Sequence, residues 1–216
     1  MSEMMNQPHE CIHCGKKFMK SRTLISHMCE QKRRVLQKDE KRVQAGFYAF
    51  NRFYQLTNNS NIKKTYDEFC KSPFYNAFVH FGSFVNNVKP LYADKFVDYV
   101  VKSGVKLDHW CKDSLYESYL YDLLKHEPAD AAIERTIATM IEWGDTNSAD
   151  YRHYFKCVNR NRAVYDIKDG KVSCWVLLNC DSGLKMLSSF SDEHLNLVSK
   201  VVDTGFWLKR FKNNPS

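Results

Sequence analysis

Proline and glycine are scarce in this chain, at five and eight of 216 residues. Such thin punctuation excludes collagen-like, proline-rich and glycine-linker architectures, which need far more of both. Long apolar runs are also missing: no stretch approaches the roughly twenty residues of a membrane-crossing helix, so no membrane partner is expected. Residues Met1 to Glu10 lack the charged and apolar blocks of a secretory leader, and a soluble protein of the cytoplasm is the expectation. Nothing repeats internally, and no segment is of low complexity. The short motifs of common enzymes are absent too, with no phosphate-cradling glycine loop, no G-x-S-x-G and no H-E-x-x-H. Asp94, Asp98, Asp108, Asp113, Glu117 and Asp122 have the chemistry to hold Mg²⁺ for a nuclease, but acids dispersed along helices are ordinarily their wet faces. His153 with Asn159, Arg160, Asn161 and Arg162 matches no nuclease motif. The sequence leans away from catalysis, and no catalytic residue is assigned.

What is present is enough to fold. Hydrophobic residues make up 44% of the chain and aromatics 14%, which argues for a filled core rather than disorder. Of the eight cysteines, Cys70, Cys111, Cys157, Cys174 and Cys180 are scattered through apolar surroundings. They read as buried thiols in a reducing compartment, not as a disulfide framework.

The remaining three behave differently. Cys11, Cys14, His27 and Cys29, with Phe18 and Leu24 as a miniature core, write out C-x2-C-x3-F-x5-L-x2-H-x-C. A segment this short cannot offset its conformational entropy by apolar burial alone, whereas one Zn²⁺ in a closed tetrahedron of soft and borderline donors can fold it. These residues resemble the Cys-Cys-His-His zinc finger, which implies a ββα unit around one Phe and one Leu. The fourth ligand departs from that pattern, because only Met28 separates His27 from Cys29. Residues two apart on a helix point about 200° away from each other, so the helix must unwind at Met28 or the last ligand must lie past its end. His9 and His13 are the rival ligands. A second metal set at His153, Cys157, Cys174 and Cys180 is conceivable but lacks the C-x2-C knuckle.

Charge is concentrated at the same end. Residues 1–52 carry eleven Lys or Arg against five acids, a balance of +6 out of +7 for the whole chain. A positive segment on a nearly neutral body is the footprint of polyanion binding. The finger resemblance implies base-reading places at Lys20, Thr23 and Ser26, with Arg22 beside them. None of the three is an Arg, Asn or Gln suited to a bidentate base contact. Phosphate contacts from Lys16, Lys17, Lys32, Arg33 and Arg34 should dominate, giving weak sequence preference and steep salt dependence on DNA foremost, with RNA as the alternative. The run His27-Met-Cys-Glu-Gln-Lys-Arg-Arg to Gly46-Phe47, with Gly170-Lys-Val-Ser-Cys-Trp-Val-Leu and Gly205-Phe-Trp, resembles proteins of large T-even-like tailed phages. That resemblance implies work in the cytoplasm of an infected host and supplies no activity.

Four segments are expected: a zinc finger over 1–30, a basic-to-aromatic connecting helix over 31–57, a helical body over 61–146, and a β-hairpin with C-terminal helices over 147–216. The hairpin is read from Arg162 to Ile167 and Lys171 to Asn179, rich in Val, Tyr, Trp and Ile around the turn dipeptide Asp169-Gly170. Pro128 should open a helix that Gly144 closes, and Ser191 should cap another. The fold class is therefore mainly α with a small C-terminal hairpin. The leading function is nucleic-acid binding with a helical body that docks an unidentified protein partner. The alternatives are a protein–protein adaptor or phage assembly factor with a structural finger, and a finger-targeted nuclease.

Overall fold

Apolar residues at helical spacing dominate the sequence, and in the computed structural model, which describes residues 8–59 and 61–213, nearly every regular element is a helix. Strands β1 (His9–Glu10) and β2 (Lys17–Phe18) pair antiparallel, with His9 opposite Phe18 and Glu10 opposite Lys17. Helices α1 (Ser21–Ser26), α2 (Glu30–Leu36), α3 (Lys41–Thr57), α4 (Tyr66–Lys71), α5 (Tyr75–Val88) and α6 (Ala93–Lys102) follow. The chain divides into two compact units between Leu115 and Tyr116, inside α7 (Asp113–His126). The second unit continues with α8 (Ala129–Asn147), α9 (Tyr154–Cys157), α10 (Arg160–Lys168), α11 (Cys174–Leu177), α12 (Asp181–Ser188), α13 (Asp192–Val198) and α14 (Thr204–Asn213). No helix among the described residues is long and apolar enough to cross a membrane.

In the first unit, α3 and α5 meet backbone to backbone. A Cβ on Gly46 would lie 2.6 Å from the Phe78 carbonyl oxygen, and one on Gly82 would lie 2.1 Å from that of Arg42. Only hydrogen fits at either place, and the close crossing seals an aromatic core. Phe50, Phe69, Phe78, Phe81, Phe96 and Trp110 are all buried. Phe81 and Trp110 meet edge-on at 5.2 Å, and Phe50 and Phe78 at 5.4 Å. Such pairs add about 0.5–1.5 kcal/mol beyond area burial. Arg52 ties α3 to α6 by a two-pronged bond to Asp98, one prong at 2.6 Å. The guanidinium holds the Asp98 carboxyl below its usual range. A capping box starts α4: Thr65 Oγ1 accepts from the Glu68 amide at 3.2 Å, and Glu68 Oε2 accepts from the Thr65 amide at 2.7 Å.

The second unit has its own core around Trp143, Tyr154, Phe155, Ile167, Leu177 and Met186, with a satellite of Ala132, Cys174, Trp175 and Trp207. Polar pins cross it. Arg135 on α8 donates to both oxygens of buried Glu127 at 2.5 and 2.6 Å and to the Gly170 carbonyl at 2.7 Å. Buried Asp166 accepts from the Tyr154 hydroxyl and from Arg162 Nε, each at 2.8 Å. A buried carboxylate with two such donors is satisfied and specifies the packing around it.

Two expectations fail here. Residues 162–179 form no hairpin: they run through α10, a turn and α11, and the two-stranded sheet lies near the N-terminus instead. Ala163, Val164 and Ile167 are buried at helical spacing on α10, whose carbonyl ladder ends as the Asp169 amide donates to Tyr165 O at 2.8 Å. Gly170 then takes φ +72°, so Asp169-Gly170 closes a helix rather than joining strands. The connecting helix of 31–57 is also two helices, α2 and α3, separated by a turn at 37–40 in which the Glu40 amide donates to Gln37 O. Of the helix ends read from sequence, Ser191 caps α13, its Oγ accepting from the His194 amide, while Pro128 directly precedes α8 rather than sitting in its first turn. Helix α8 runs on past Gly144 to Asn147.

Candidate metal centre

The N-terminal segment gathers four donor atoms. The Cys11 amide donates to Lys16 O at 2.9 Å and the Gly15 amide to Cys11 O at 2.8 Å, which folds the Cys11–Cys14 knuckle at the mouth of the β1–β2 ribbon. From β2, Phe18 places its ring 4.8 Å from that of His27. Half-buried Leu24 faces inward from α1, which has no side-chain cap.

Helix α1 stops at Ser26. His27 turns into extended backbone at φ −68°, ψ 121°, and Cys29, also extended, becomes the N-cap of α2. The helix thus ends before Met28, as the geometry of an H-x-C pair demands. Cys29 Sγ also accepts from the Lys32 amide at 3.4 Å, so one sulfur both faces the cluster and starts a helix. Sequence reading missed this second role. Its signal is Glu30 directly after the cysteine, an acid in the first turn where the helix dipole favours it.

The donor atoms of Cys11, Cys14, His27 and Cys29 all lie within 4.8 Å of one another. Cys11 Sγ is 4.0 Å from Cys29 Sγ, and Cys14 Sγ is 3.3 Å from His27 Nε2. A tetrahedral site with sulfur about 2.3 Å from the metal has sulfur–sulfur edges of about 3.8 Å, so the spacing fits four ligands around one ion. It does not fit a disulfide, whose sulfurs lie about 2.05 Å apart. Neither His9 nor His13 joins the group. Amides of His13 and Cys14 pull the Cys11 thiol below its ordinary range. The Lys16 amide does the same for Cys14, but desolvation and the neighbouring Cys11 and Cys29 outweigh it and leave that thiol raised.

Around this centre, Lys16, Lys17, Lys20, Arg22, Thr23, Ser26 and Arg33 are exposed. Lys17 reaches Glu10 at 4.0 Å, while Lys20, Arg22 and Arg33 form no ion pair among the described residues. Ser26 Oγ turns back to donate to the carbonyls of its own helix at Arg22 and Thr23, 3.2 Å each. Lys32 is half-buried, its Nζ donating to His27 O at 3.3 Å. Arg34, expected on a phosphate, is buried instead. Its guanidinium pairs with Glu30, donates to Cys70 O at 2.6 Å and lies 4.4 Å from the centre of the Tyr75 ring. With its N–H groups directed into the protein, it has none to offer a ligand.

The second conceivable metal set is not assembled. Cys174 is buried, its thiol pushed up to about 12 by burial and aimed at Val201 O, and Cys180 caps α12 by accepting from the Gly183 amide. No other group of three or more His, Cys, Asp or Glu among the described residues is close enough to hold an ion, the dispersed acids of a nuclease reading included. Comparison with known proteins gives no match to any family model, curated protein or solved structure, so the finger and phage resemblances rest on this chain's own residues.

Proposed function

We propose that Cys11, Cys14, His27 and Cys29 hold one structural Zn²⁺ and that the finger so formed binds nucleic acid, duplex DNA foremost, chiefly through phosphates. Three sulfurs and an imidazole in a closed group suit zinc and leave no open position for chemistry. The observation that carries the reading is the metal-fit cluster on a segment that also carries exposed Lys20, Arg22 and Arg33, which form no ion pair among the described residues, with exposed Lys16 and Lys17. Uncompensated cations on so small a unit repel one another and gain most from a polyanion. With Ser26 bonded to its own helix and Thr23 generic, base reading is slight.

The test is binding of the zinc-loaded chain to a labelled duplex across a salt titration. Each phosphate contact contributes about −0.9 to the slope of log affinity against log salt. Lys20→Ala/Arg22→Ala/Arg33→Ala should therefore flatten the slope by about 2–3 with zinc retained. Salt-insensitive binding, or an unchanged slope in the triple variant, overturns the proposal.

A second reading is favoured by a separate observation. Ile12, Met19, Ile25 and Met28 are exposed on the finger, Ile12 to 93% and Ile25 to 75%. Apolar exposure of this kind on a small unit suits protein contact, in which case the finger is structural and the chain an adaptor or assembly factor. Association with a protein that persists at high salt and is lost on Ile12→Ser/Ile25→Ser would select this reading.

A further inference from the structure

Lys156, Arg160 and Lys185 line one open cleft of about 560 Å³ in the second unit, together with Ser182 and Asp181. Buried Phe155 and Met186 complete its lining. None of the three cations forms an ion pair among the described residues, and Arg160 donates only to the Val158 carbonyl, at 3.3 Å. Asp181 is the only carboxylate among the lining residues, so three positive groups face one negative. Like charges gathered along a concave wall raise one another's energy and focus a positive potential into the cleft.

Arg160 adds to this imbalance. It is the first residue of α10, whose opening turn contains no acid. A cation there opposes the positive end of the helix dipole, where stability alone would favour Asp or Glu. Half-buried Arg160 returns one bond to the unit, to the Val158 carbonyl, and an anion in the cleft would relieve both the mutual repulsion and the opposition to the dipole.

We propose that this cleft binds a phosphate group. The Arg160 guanidinium supplies a planar fork, Lys156 and Lys185 supply point charges, and the Ser182 hydroxyl supplies a neutral donor. The volume exceeds that of a lone phosphate and admits a phosphate ester of nucleotide size, supplied either free or as part of an oligonucleotide strand. The site is independent of the metal centre and of the function proposed for the finger.

The test uses the full chain, zinc-loaded and ¹⁵N-labelled, in chloride buffer at constant ionic strength. It is titrated separately with inorganic phosphate, adenosine 5′-monophosphate and a single-stranded dodecanucleotide. Saturable shifts should centre on the amides of Asn161, Ser182 and Gly183, and Lys156→Gln/Lys185→Gln should weaken the apparent affinity at least tenfold. Arg160→Gln should abolish binding and, without phosphate, raise the unfolding midpoint by about 1–3 °C, a readout that a merely structural arginine would move the other way. Saturation by phosphate or the mononucleotide with the oligonucleotide inert identifies a free ester. Competition between oligonucleotide and phosphate identifies a strand, and either result supports the site. Unsaturable shifts spread over surface lysines, or wild-type affinity in the variants, overturn it.

Discussion

The guanidinium of Arg34 stacks 4.4 Å from the centre of the Tyr75 ring while donating to the carbonyl of Cys70, which pins α2 to the α4–α5 layer. The Tyr66 hydroxyl returns a bond to Arg34 O at 2.6 Å. A buried cation with this many partners acts as a structural rivet. Arg34→Ala should cost about 2–4 kcal/mol in denaturant unfolding, since it strands buried carbonyls as well as losing the stack. Exposed Arg33→Ala should fall within about 0.5 kcal/mol of wild type. In nucleic-acid titrations the ranking should reverse, with Arg33→Ala changing the salt slope and Arg34→Ala, once folded, leaving it alone.

Metal removal should act locally first. A chelator, or Cys14→Ser, should release one equivalent of zinc and open residues 8–36 to protease, because Phe18 and Leu24 alone are too small a core; apparent zinc stabilisation of finger segments is about 10–16 kcal/mol. Mass spectrometry of the early cleavage sites checks this, and cuts that begin in α3 or α5 would contradict it.

The α3–α5 crossing predicts a harsh response to a single methyl. Gly46→Ala and Gly82→Ala each drive a Cβ into carbonyl backbone, and neither helix can yield without opening the aromatic core. Each should cost about 3 kcal/mol or more, and the double variant less than the sum, since both act on one contact. Urea midpoints measure it.

Acid should undo the cap of α4. The Thr65 amide, followed by Lys64, holds the Glu68 carboxyl at about 2, below the 4.5 of an unperturbed group. A depressed folded-state value means the stabilisation is fully present above about pH 4.5 and is lost as pH falls towards 2. Glu68→Gln should therefore lower the unfolding midpoint at pH 7, and the gap to wild type should close between pH 4.5 and 2. A gap that stays constant over that window would show that Glu68 does not cap in solution.

The metal group was legible in the sequence because its logic is local: a knuckle of fixed spacing, one Phe, one Leu, and a His-x-Cys pair that a continuous helix cannot present. Ser191 and Pro128 were legible for the same reason, since a cap is decided within one turn. What escaped was set at long range. Arg34 read as one more phosphate-contacting cation in a basic run, and only Cys70, Ser72 and Tyr75, some 36 to 41 positions on, make it a core residue. The stretch 162–179 has the β-branched and aromatic content of strands, yet Tyr154 and Thr136 from other helices bond Asp166 and the Ser173 amide and hold it helical. Asp-Gly suits a helix terminus as well as a hairpin, and no residue beside it distinguishes the two.

Structural zinc sites take either histidine or cysteine as a donor, as though the two were exchangeable. At position 29 they are not. An imidazole there would still be a metal donor but would remove the sulfur that accepts from the Lys32 amide, fraying the first turn of α2, the helix that carries Arg34 to its socket. The start of α2 is therefore inherited from the chemistry of one sulfur, and an oxidant that reaches Cys29 would loosen the metal-fit cluster and the mounting of that helix together.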